Sequence, residues 1–430
     1  MITKSFILSL LFGLVSLWFL STIIYPATHQ ITSAASTYYT ASHLLAQGQI
    51  SAQIYDPDYF RALTDDIYNA NPPTTSLLFL PFVLLPLATT NALWTWANLA
   101  MLLIIIGLLI HTFAPIYISQ NNKLGCKPKG LHHYNRVNLK VCTPNKFNLY
   151  PHTRHIFLTV LIFAMLFQPI IANFQLGQAY IAMTLLMTIV IITHHQEKPA
   201  PLGLALGLAL LLKTVGWSMI PLLMWQKKWA ALAWTAATLT LIIGLTFPLF
   251  HLNTWQAYFQ LLRQTTHSSI TCVTAYQTTA SLLCRIFGST NDVTLFNTSL
   301  INLPLLNTLI WFALAISTFI TTFLISQSNA TASLMLSLTW AILFAPLGEQ
   351  YHHTVIFIPL IWLYLHGLST KLEIITFALI LGLYAIPLNF NHATYQTGGL
   401  TVLAYPRLYA AWLTAGLLIF NYSAKIREER

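Results

Sequence analysis

Only ten acidic residues occur in 430, so the places where a carboxylate could act as an acid or a base are few. IYDPDYF carries Asp56 and Asp58, TDDIYNANPP carries Asp65 and Asp66, and GEQYHH sets Glu349 just ahead of His352 and His353. Carboxylates among aromatic rings suit sugar binding, in which rings stack on apolar sugar faces and carboxylates accept hydroxyl protons. Asp56 and Asp58 equally suit a local role, because aspartate beside proline caps a turn or a helix start. Histidines beside a glutamate can shuttle protons or bind phosphate. A metal would want three or four ligands of set geometry, which this spacing does not supply. Lys213 stands in the otherwise apolar GLALGLALLLKTVGWSMIPLL, where an ammonium needs an anionic partner or a water-filled cavity. NFQLGQAY offers the amides of Asn173, Gln175 and Gln178, which either bind a ligand or satisfy a helix end. Arg285 and Arg407 suit phosphate clamps or headgroup anchors. Cys126 and Cys142 flank His132 and His133 without a zinc-like spacing, while Cys272 and Cys284 share one connection and can pair in an oxidising compartment.

The elements that must hold these residues are read from composition. Charged residues make up 7% and hydrophobic ones 56%, with a mean hydropathy of +0.65, against about 25% charged in a soluble domain. Apolar runs near the ~20 residues of a membrane crossing recur, among them Ser5 to Ile24, Leu93 to His111, Ala230 to Phe247 and Leu305 to Ile325. The first has no small-residue cleavage site close behind it and reads as a retained helix. Basic residues gather in residues 114–154, in HHQEK, in WQKKW, at Lys371 and in the tail. The positive-inside rule makes these connections cytoplasmic, and it accounts for the net charge of +10 without a nucleic-acid partner. TTSLLFLPFVLLPL is short and holds two prolines, which suits a re-entrant or interfacial segment. Pro201 to Trp225 is flanked by basic residues on both sides and reads as a short hairpin topped by Lys213, Thr214 and Gly216.

The sum is a single all-α polytopic membrane unit over residues 1–430 with about 12 crossings and both termini inside. Residues 26–90 form a large first outer loop, 114–154 a basic cytoplasmic loop, and 251–303 a second large outer loop. Asp56, Asp58, Asp65, Asp66, Asp292 and Glu349 then lie outside, where most of the candidate chemistry gathers. No Walker loop and no GxGxxG occurs, which argues against an ATP-driven pump. A secondary transporter would call for an inverted repeat of paired broken helices, and none is visible.

In order along the chain stand NPPTTSLLFLPFVLLPLATTNALWTWANL, NFQLGQ, GLALGLALLLKTVGWSMIPLLMWQKKW, YQTTASLLCRIFG and APLGEQYHHTVIFIPL. This series resembles the motif string of glycosyltransferase family 87, within the polytopic GT-C superfamily. The likeness runs from about residue 36 to 365 and leaves 114–154 as an insertion. The resemblance implies a GT-C-like, mannosyltransferase-like enzyme of the inner (plasma) membrane, multi-pass, with its site facing the periplasm or exterior. It would transfer a hexose or pentose from a polyprenyl-phosphate sugar to an envelope glycan or lipid acceptor, with inversion; no cofactor is expected, and no residue is assigned to a metal. A carboxylate takes the acceptor hydroxyl's proton while cations stabilise the departing lipid phosphate. On that reading Asp56, Asp58 or Glu349 is the base. Lys213, Arg285, His352 and His353 meet the phosphate, and Asn173, Gln178 and Gln277 orient the sugar or the acceptor.

The chain departs from the family at one point. The family usually places an aspartate shortly before its YY-aa-LL-G pattern. Here ITSAASTYYTASHLLAQG has Ser33 to Ser36 in that place, and no acid precedes Asp56. Asp56 and Asp58 come first as replacements because they follow Tyr55 in the same loop, with Asp65, Asp66 and Glu349 behind them. The rival readings are an inactive relative that binds without turnover and a flippase or secondary transporter of lipid-linked sugars.

Overall fold

The structure is a computed structural model that describes residues 4–64, 71–121, 151–267, 272–288, 299–366, 368–390, 392–395 and 398–428. Among the described residues the chain is all-helical, with seventeen α-helices, short 3-10 turns and one isolated β-bridge.

Helix α1 (Lys4–Phe19) runs through a π-helical turn (Leu20–Ile24) into α2 (Tyr25–His29). Phe6, Ile7, Leu10, Leu11, Leu14 and Leu17 are all exposed, an apolar face that water would not tolerate and lipid does. The apolar stretch from Ser5 to Ala46 spans 42 residues, about 63 Å if helical throughout and twice the hydrocarbon depth of about 30 Å. It does not run straight. Gln30 (φ −107, ψ 134) and Thr32 (φ −87, ψ 146) leave the helical region before α3 (Ser33–Ala46) begins. Asn91 seals this break, donating to the Ala27 and Gln30 carbonyls at 2.8 and 3.0 Å and accepting from the Thr32 hydroxyl at 2.7 Å. A short α4 (Pro57–Leu63) completes the first connection, and the long α5 (Leu87–Asn121) follows it.

Helix α6 (Pro151–Leu166) is bent by 57° from α7 (Gln168–Leu176). Phe167 is extended and Pro169 opens the new helix, so the bend has a proline cause. Gly177 (φ 68) ends α7 in the left-handed conformation, and α8 (Tyr180–His195) starts directly beyond it. Helix α9 (Pro199–Leu212), a 3-10 turn (Thr214–Ser218) and α10 (Met219–Trp225) form the short hairpin expected from the sequence. Helix α11 (Trp229–His267) is two helical pieces broken at His251 (φ 45, ψ 151), three residues after Pro248. The first piece has the length of one crossing. The second lays Tyr258 against Leu44, Leu45, Ile54, Tyr55 and Phe60 in a satellite core of the first connection.

The remaining helices are α12 (Thr279–Phe287), α13 (Pro304–Ser326), α14 (Ala330–Leu343), α15 (Phe357–His366), α16 (Lys371–Ala385) and α17 (Pro406–Glu428). Four helical stretches among the described residues are long and apolar enough to cross a membrane, or five if α6 and α7 are one bent span. Helices α8, α9 and α14 are shorter, at 16, 14 and 14 residues. They are apolar, and much of their surface is buried in the central core.

Close packing within lipid needs small residues at the contact, because apolar side chains gain nothing by leaving apolar solvent. Gly203 and Gly207 supply it where α9 meets α11. A Cβ on Gly203 would lie 2.3 Å from the Ala231 carbonyl oxygen, and one on Gly207 would lie 2.7 Å from Thr238 Cβ. The connections sort to two ends. At one, Gln226 joins His194 at 2.7 Å, Ser326 at 2.9 Å and Ser333 at 3.2 Å, tying HHQEK and WQKKW together. Glu373 sits there too, buried in a capping box at the start of α16. The candidate chemistry lies at the other end.

Candidate active site

The site is built around the end of α9. Lys213 follows its last turn in an extended conformation (φ −157, ψ 156), so its side chain leaves the helix at the point where helix carbonyls lose their partners. The block after Asn71 covers them. The Thr74 hydroxyl donates to the Leu211 carbonyl at 2.7 Å, and the Thr75 hydroxyl to the Leu212 carbonyl at 3.2 Å. In the same block the Asn71 side-chain oxygen accepts from Lys213 Nζ. The Asn71 backbone carbonyl takes the Tyr55 hydroxyl at 2.9 Å. Burial, with Tyr258 5.7 Å away between ring centres, pushes the Tyr55 phenol well above its ordinary pKa, so it serves as a neutral donor. Lys213 Nζ also lies 5.8 Å from the centre of the Tyr180 ring, within cation–π range.

Tyr180 leads into a run of rings. Its centre is 4.3 Å from that of His352 and 5.5 Å from that of Tyr351, and Tyr351 stacks on His352 at 4.5 Å. Glu349 borders them, on a turn pinned from two sides. It pairs antiparallel with Tyr276, and the Gln277 amide donates to the Gly348 carbonyl at 2.7 Å. The His352 amide donates to the Glu349 carbonyl at 3.0 Å. The Glu349 carboxylate lies within electrostatic reach of both the Tyr180 and the Tyr351 phenols, as Lys213 does of His352. Lys213, Glu349 and His352 are half-buried, whereas Tyr180 and Tyr351 are buried. One ammonium, one carboxylate and one imidazole thus gather beside an aromatic floor. Such a group can hold an anion, stack a sugar ring and accept a proton.

The other expected site residues are placed as follows. Gln178 joins the rim, where its side-chain oxygen accepts from the Tyr38 hydroxyl at 2.8 Å. Asn173 is buried, and its side-chain oxygen accepts the Tyr180 and Ile181 amides at 3.0 and 3.3 Å, capping α8. Gln277 is also buried, donating to the Thr274 and Ala404 carbonyls at 2.8 Å each and accepting the Arg407 amide at 3.2 Å. His353 is buried between the Gln277 carbonyl at 3.0 Å and the Tyr384 hydroxyl at 3.2 Å. Gln277 and His353 therefore brace the Glu349 turn from behind. Arg285 is buried against the Tyr405 hydroxyl, and Tyr405 contacts the Ser281 hydroxyl at 2.9 Å. Arg407 is buried and donates to the Leu383 and Ile386 carbonyls at the end of α16, so its charge is spent on a helix terminus.

Asp56 and Asp58 are exposed on α4. Asp56 is its N-cap, with Oδ1 accepting the Asp58 and Tyr59 amides at 2.9 and 3.3 Å. Asp65, Asp66, Asp292, Cys126 and Cys142 lie outside the described residues. Cys272 and Cys284 are joined in a disulfide. Among the described residues no group of three or more His, Cys, Asp or Glu side chains could hold a metal ion. Asn71, Tyr180, Tyr351 and Tyr38 did not stand out in the sequence as site residues. The signal was present for Asn71, which opens the NPP block, and for Tyr180, which closes NFQLGQAY.

The fold and these groups define a helical membrane protein with a cation, a carboxylate and stacked rings gathered at one end of the bundle. Residues 69–347, more than half of the chain, match the model of glycosyltransferase family 87. The chain belongs to that family. The match includes Asn71, Asn173, Gln178, Tyr180, Lys213, Gln277 and Arg285, and it ends just before Glu349. No curated relative and no solved structure matches the chain.

Proposed function

We propose that this membrane glycosyltransferase moves a sugar from a polyprenyl-phosphate donor to an envelope glycan or lipid acceptor on the outer side of the inner (plasma) membrane. The observation that carries the reading is the placement of Lys213. An ammonium at the end of an apolar helix, steadied by a neutral amide and an aromatic face, suits a lipid-linked phosphate that arrives from the bilayer. The donor phosphate lies at Lys213 and its sugar over Tyr180 and His352. The acceptor hydroxyl attacks the anomeric carbon from the face opposite the phosphate. Its oxygen–carbon bond forms as the carbon–phosphate-oxygen bond breaks, which inverts the centre. The proton goes to a carboxylate, and the lipid phosphate leaves with its charge offset by Lys213. Glu349 is the carboxylate best supported as base, because its turn is pinned by Tyr276 and Gln277 and leads directly into the stacked Tyr351 and His352. Asp56 and Asp58 stand behind it, because Asp56 already caps α4.

The long spans, together with the shorter apolar helices α8, α9 and α14 and their neighbours, make up about twelve crossings of a single unit over residues 1–430. The Cys272–Cys284 disulfide supports an oxidising compartment on the side of Glu349, in line with a periplasmic or exterior site. The test is transfer in proteoliposomes from a panel of polyprenyl-phosphate hexoses and pentoses, with the anomeric configuration of the product determined. One donor gives an inverted product, and Lys213→Met slows its transfer about a hundredfold or more. Full transfer by Lys213→Met, or a product with retained configuration, contradicts the proposal.

A further inference from the structure

We propose that His353 is a positioning residue whose ring staples the Glu349 turn to the backbone of Gln277, an inference that rests on reading Glu349 as the base. The two neighbouring histidines divide the work. His352 stacks on Tyr180 and Tyr351, at 4.3 and 4.5 Å between ring centres. His353 is instead fully buried, with its ring centre 5.9 Å from that of Tyr384 on α16. What it holds is one residue gripped at both of its peptide groups. The Gln277 amide donates to the Gly348 carbonyl at 2.7 Å, and the Gln277 carbonyl accepts from His353 Nε2 at 3.0 Å. The segment between these two anchors carries Glu349 and His352. Gly348 lets the turn come this close, since a Cβ there would lie 2.5 Å from Thr278 Cγ2. Gln277 is itself fixed, because its side chain bridges the Thr274 and Ala404 carbonyls and the Arg407 amide.

The partners decide where the ring carries its hydrogen. A carbonyl only accepts, so Nε2 is the protonated nitrogen. Nδ1 then accepts, and the Tyr384 hydroxyl donates to it at 3.2 Å. Tyr384 thereby selects the neutral tautomer that can hold Gln277. The Thr354 hydroxyl ties the next residue to the Pro169 carbonyl at 3.1 Å, which fixes the end of the turn and not its distance from Gln277. The anchor at Gly348 joins backbone to backbone and does not depend on the side chain at 353. The anchor at His353 depends on a single ring nitrogen. Its loss loosens the segment that carries the carboxylate, and a misplacement of about 1 Å costs much of a rate. Lys213 and Tyr180 stand on other helices and still meet the donor.

The test uses the different reach of two amides. Glutamine at 353 brings its amide nitrogen to the place of Nε2 and can donate to the Gln277 carbonyl. Asparagine reaches only the place of Nδ1. Both replace a buried ring with a smaller side chain, so lost packing lowers the melting temperature of both alike. In the first arm, hydrogen exchange of peptides covering 273–280 and 346–352 is followed by mass spectrometry in the full-length protein. Exchange is several-fold faster in His353→Asn and stays near wild type in His353→Gln. Equal acceleration in both variants, or none in either, would overturn the proposal. If His353→Asn does not fold, Tyr384→Phe is read in its place, since it keeps the ring and frees the tautomer. It speeds exchange of 346–352, and an unchanged rate would contradict the proposal. This arm reads the staple whether or not the chain transfers sugar. In the second arm, transfer in proteoliposomes separates kcat from KM. His353→Asn lowers kcat about tenfold or more and leaves the donor KM within about twofold of wild type, while His353→Gln recovers most of kcat. An equal loss of kcat in both variants would assign His353 to the scaffold, and a raised KM with kcat kept would place it at the donor. Either result overturns the positioning role.

Discussion

At the scale of single residues, side chains of one chemical type serve opposite purposes in this chain. Lys213 sends its ammonium to the side-chain oxygen of Asn71 at the site, whereas Arg407 sends its guanidinium to the carbonyls of Leu383 and Ile386 at a helix end. Glu349 stands on the turn that leads into Tyr351 and His352, whereas Glu373 closes a capping box. Gly177 shows how little room the scaffold leaves. Its φ is +68, and a Cβ there would lie 2.1 Å from the Thr32 hydroxyl oxygen. Gly177→Ala is therefore expected to destabilise the protein by about 2 kcal/mol or more, read as a fall in melting temperature in detergent. Asp56→Ala should cost about 1 kcal/mol through the lost cap, while Asp56→Asn, a good N-cap itself, should melt like the wild type. A large loss of stability in Asp56→Asn would mean that the aspartate does more than cap α4.

Lys213 drew attention in the sequence because a lone lysine in an apolar helix has few bland explanations. Gln277 and His353 were not. An amide or an imidazole looks the same in sequence whether it meets a substrate or a backbone carbonyl, and the partners that decide are remote, Ala404 lying 127 residues from Gln277. Asn71 was hidden for the same reason, since the bond that gives it a role spans 142 residues to Lys213.

At the scale of elements, stability rests on how helices are ended and how closely they approach. The α9–α11 contact depends on Gly203 and Gly207, so Gly203→Leu or Gly207→Leu should sharply reduce the yield of folded protein in membranes. Leu204→Ala and Leu208→Ala, at exposed positions on the same helix, should leave the yield unchanged. Equal losses in both pairs would show that α9 is sensitive to any change of side chain and that the glycine contact with α11 is not what matters. The hairpin of α9 and α10 followed from basic residues on both flanks. The sequence ended the apolar run at Phe247 and opened the next connection at 251, but the helical piece that resumes beyond the break at His251 did not follow from it. The Cys272–Cys284 disulfide closes a loop with 12 residues of sequence separation that carries Tyr276 and Gln277, the two residues that pin the Glu349 turn. Loss of such a cross-link typically costs about 3 kcal/mol. Cys272→Ser/Cys284→Ser should lower both the melting temperature and transfer, by loosening that turn. Unchanged transfer would show that the β-bridge alone suffices.

At the scale of the whole molecule, the two ends of the bundle do different work. One gathers the basic turns HHQEK and WQKKW around Gln226, and the other gathers Asn71, Gln178, Lys213 and Glu349. The membrane character and the family were both readable from composition and motif order, since each depends on sums over many residues. Which carboxylate reaches the site was not readable, because that depends on a single turn held by contacts from a distant loop. The sidedness proposed here predicts that a cysteine placed at Gln47 is labelled by an impermeant maleimide from outside, and one at Lys227 only after permeabilisation. The reverse pattern would turn the molecule over and move the site to the cytoplasm.

The measurement closest to the central claim compares Glu349→Gln with Asp56→Asn and Asp58→Asn in reconstituted vesicles, using the donor the wild type accepts and following sugar transfer and donor binding together. Glu349→Gln is expected still to bind the donor and to lose transfer by about a hundredfold or more, while both aspartate variants keep most of theirs. Transfer retained in Glu349→Gln and lost in Asp56→Asn or Asp58→Asn would contradict it, and would move the base to the first outer connection.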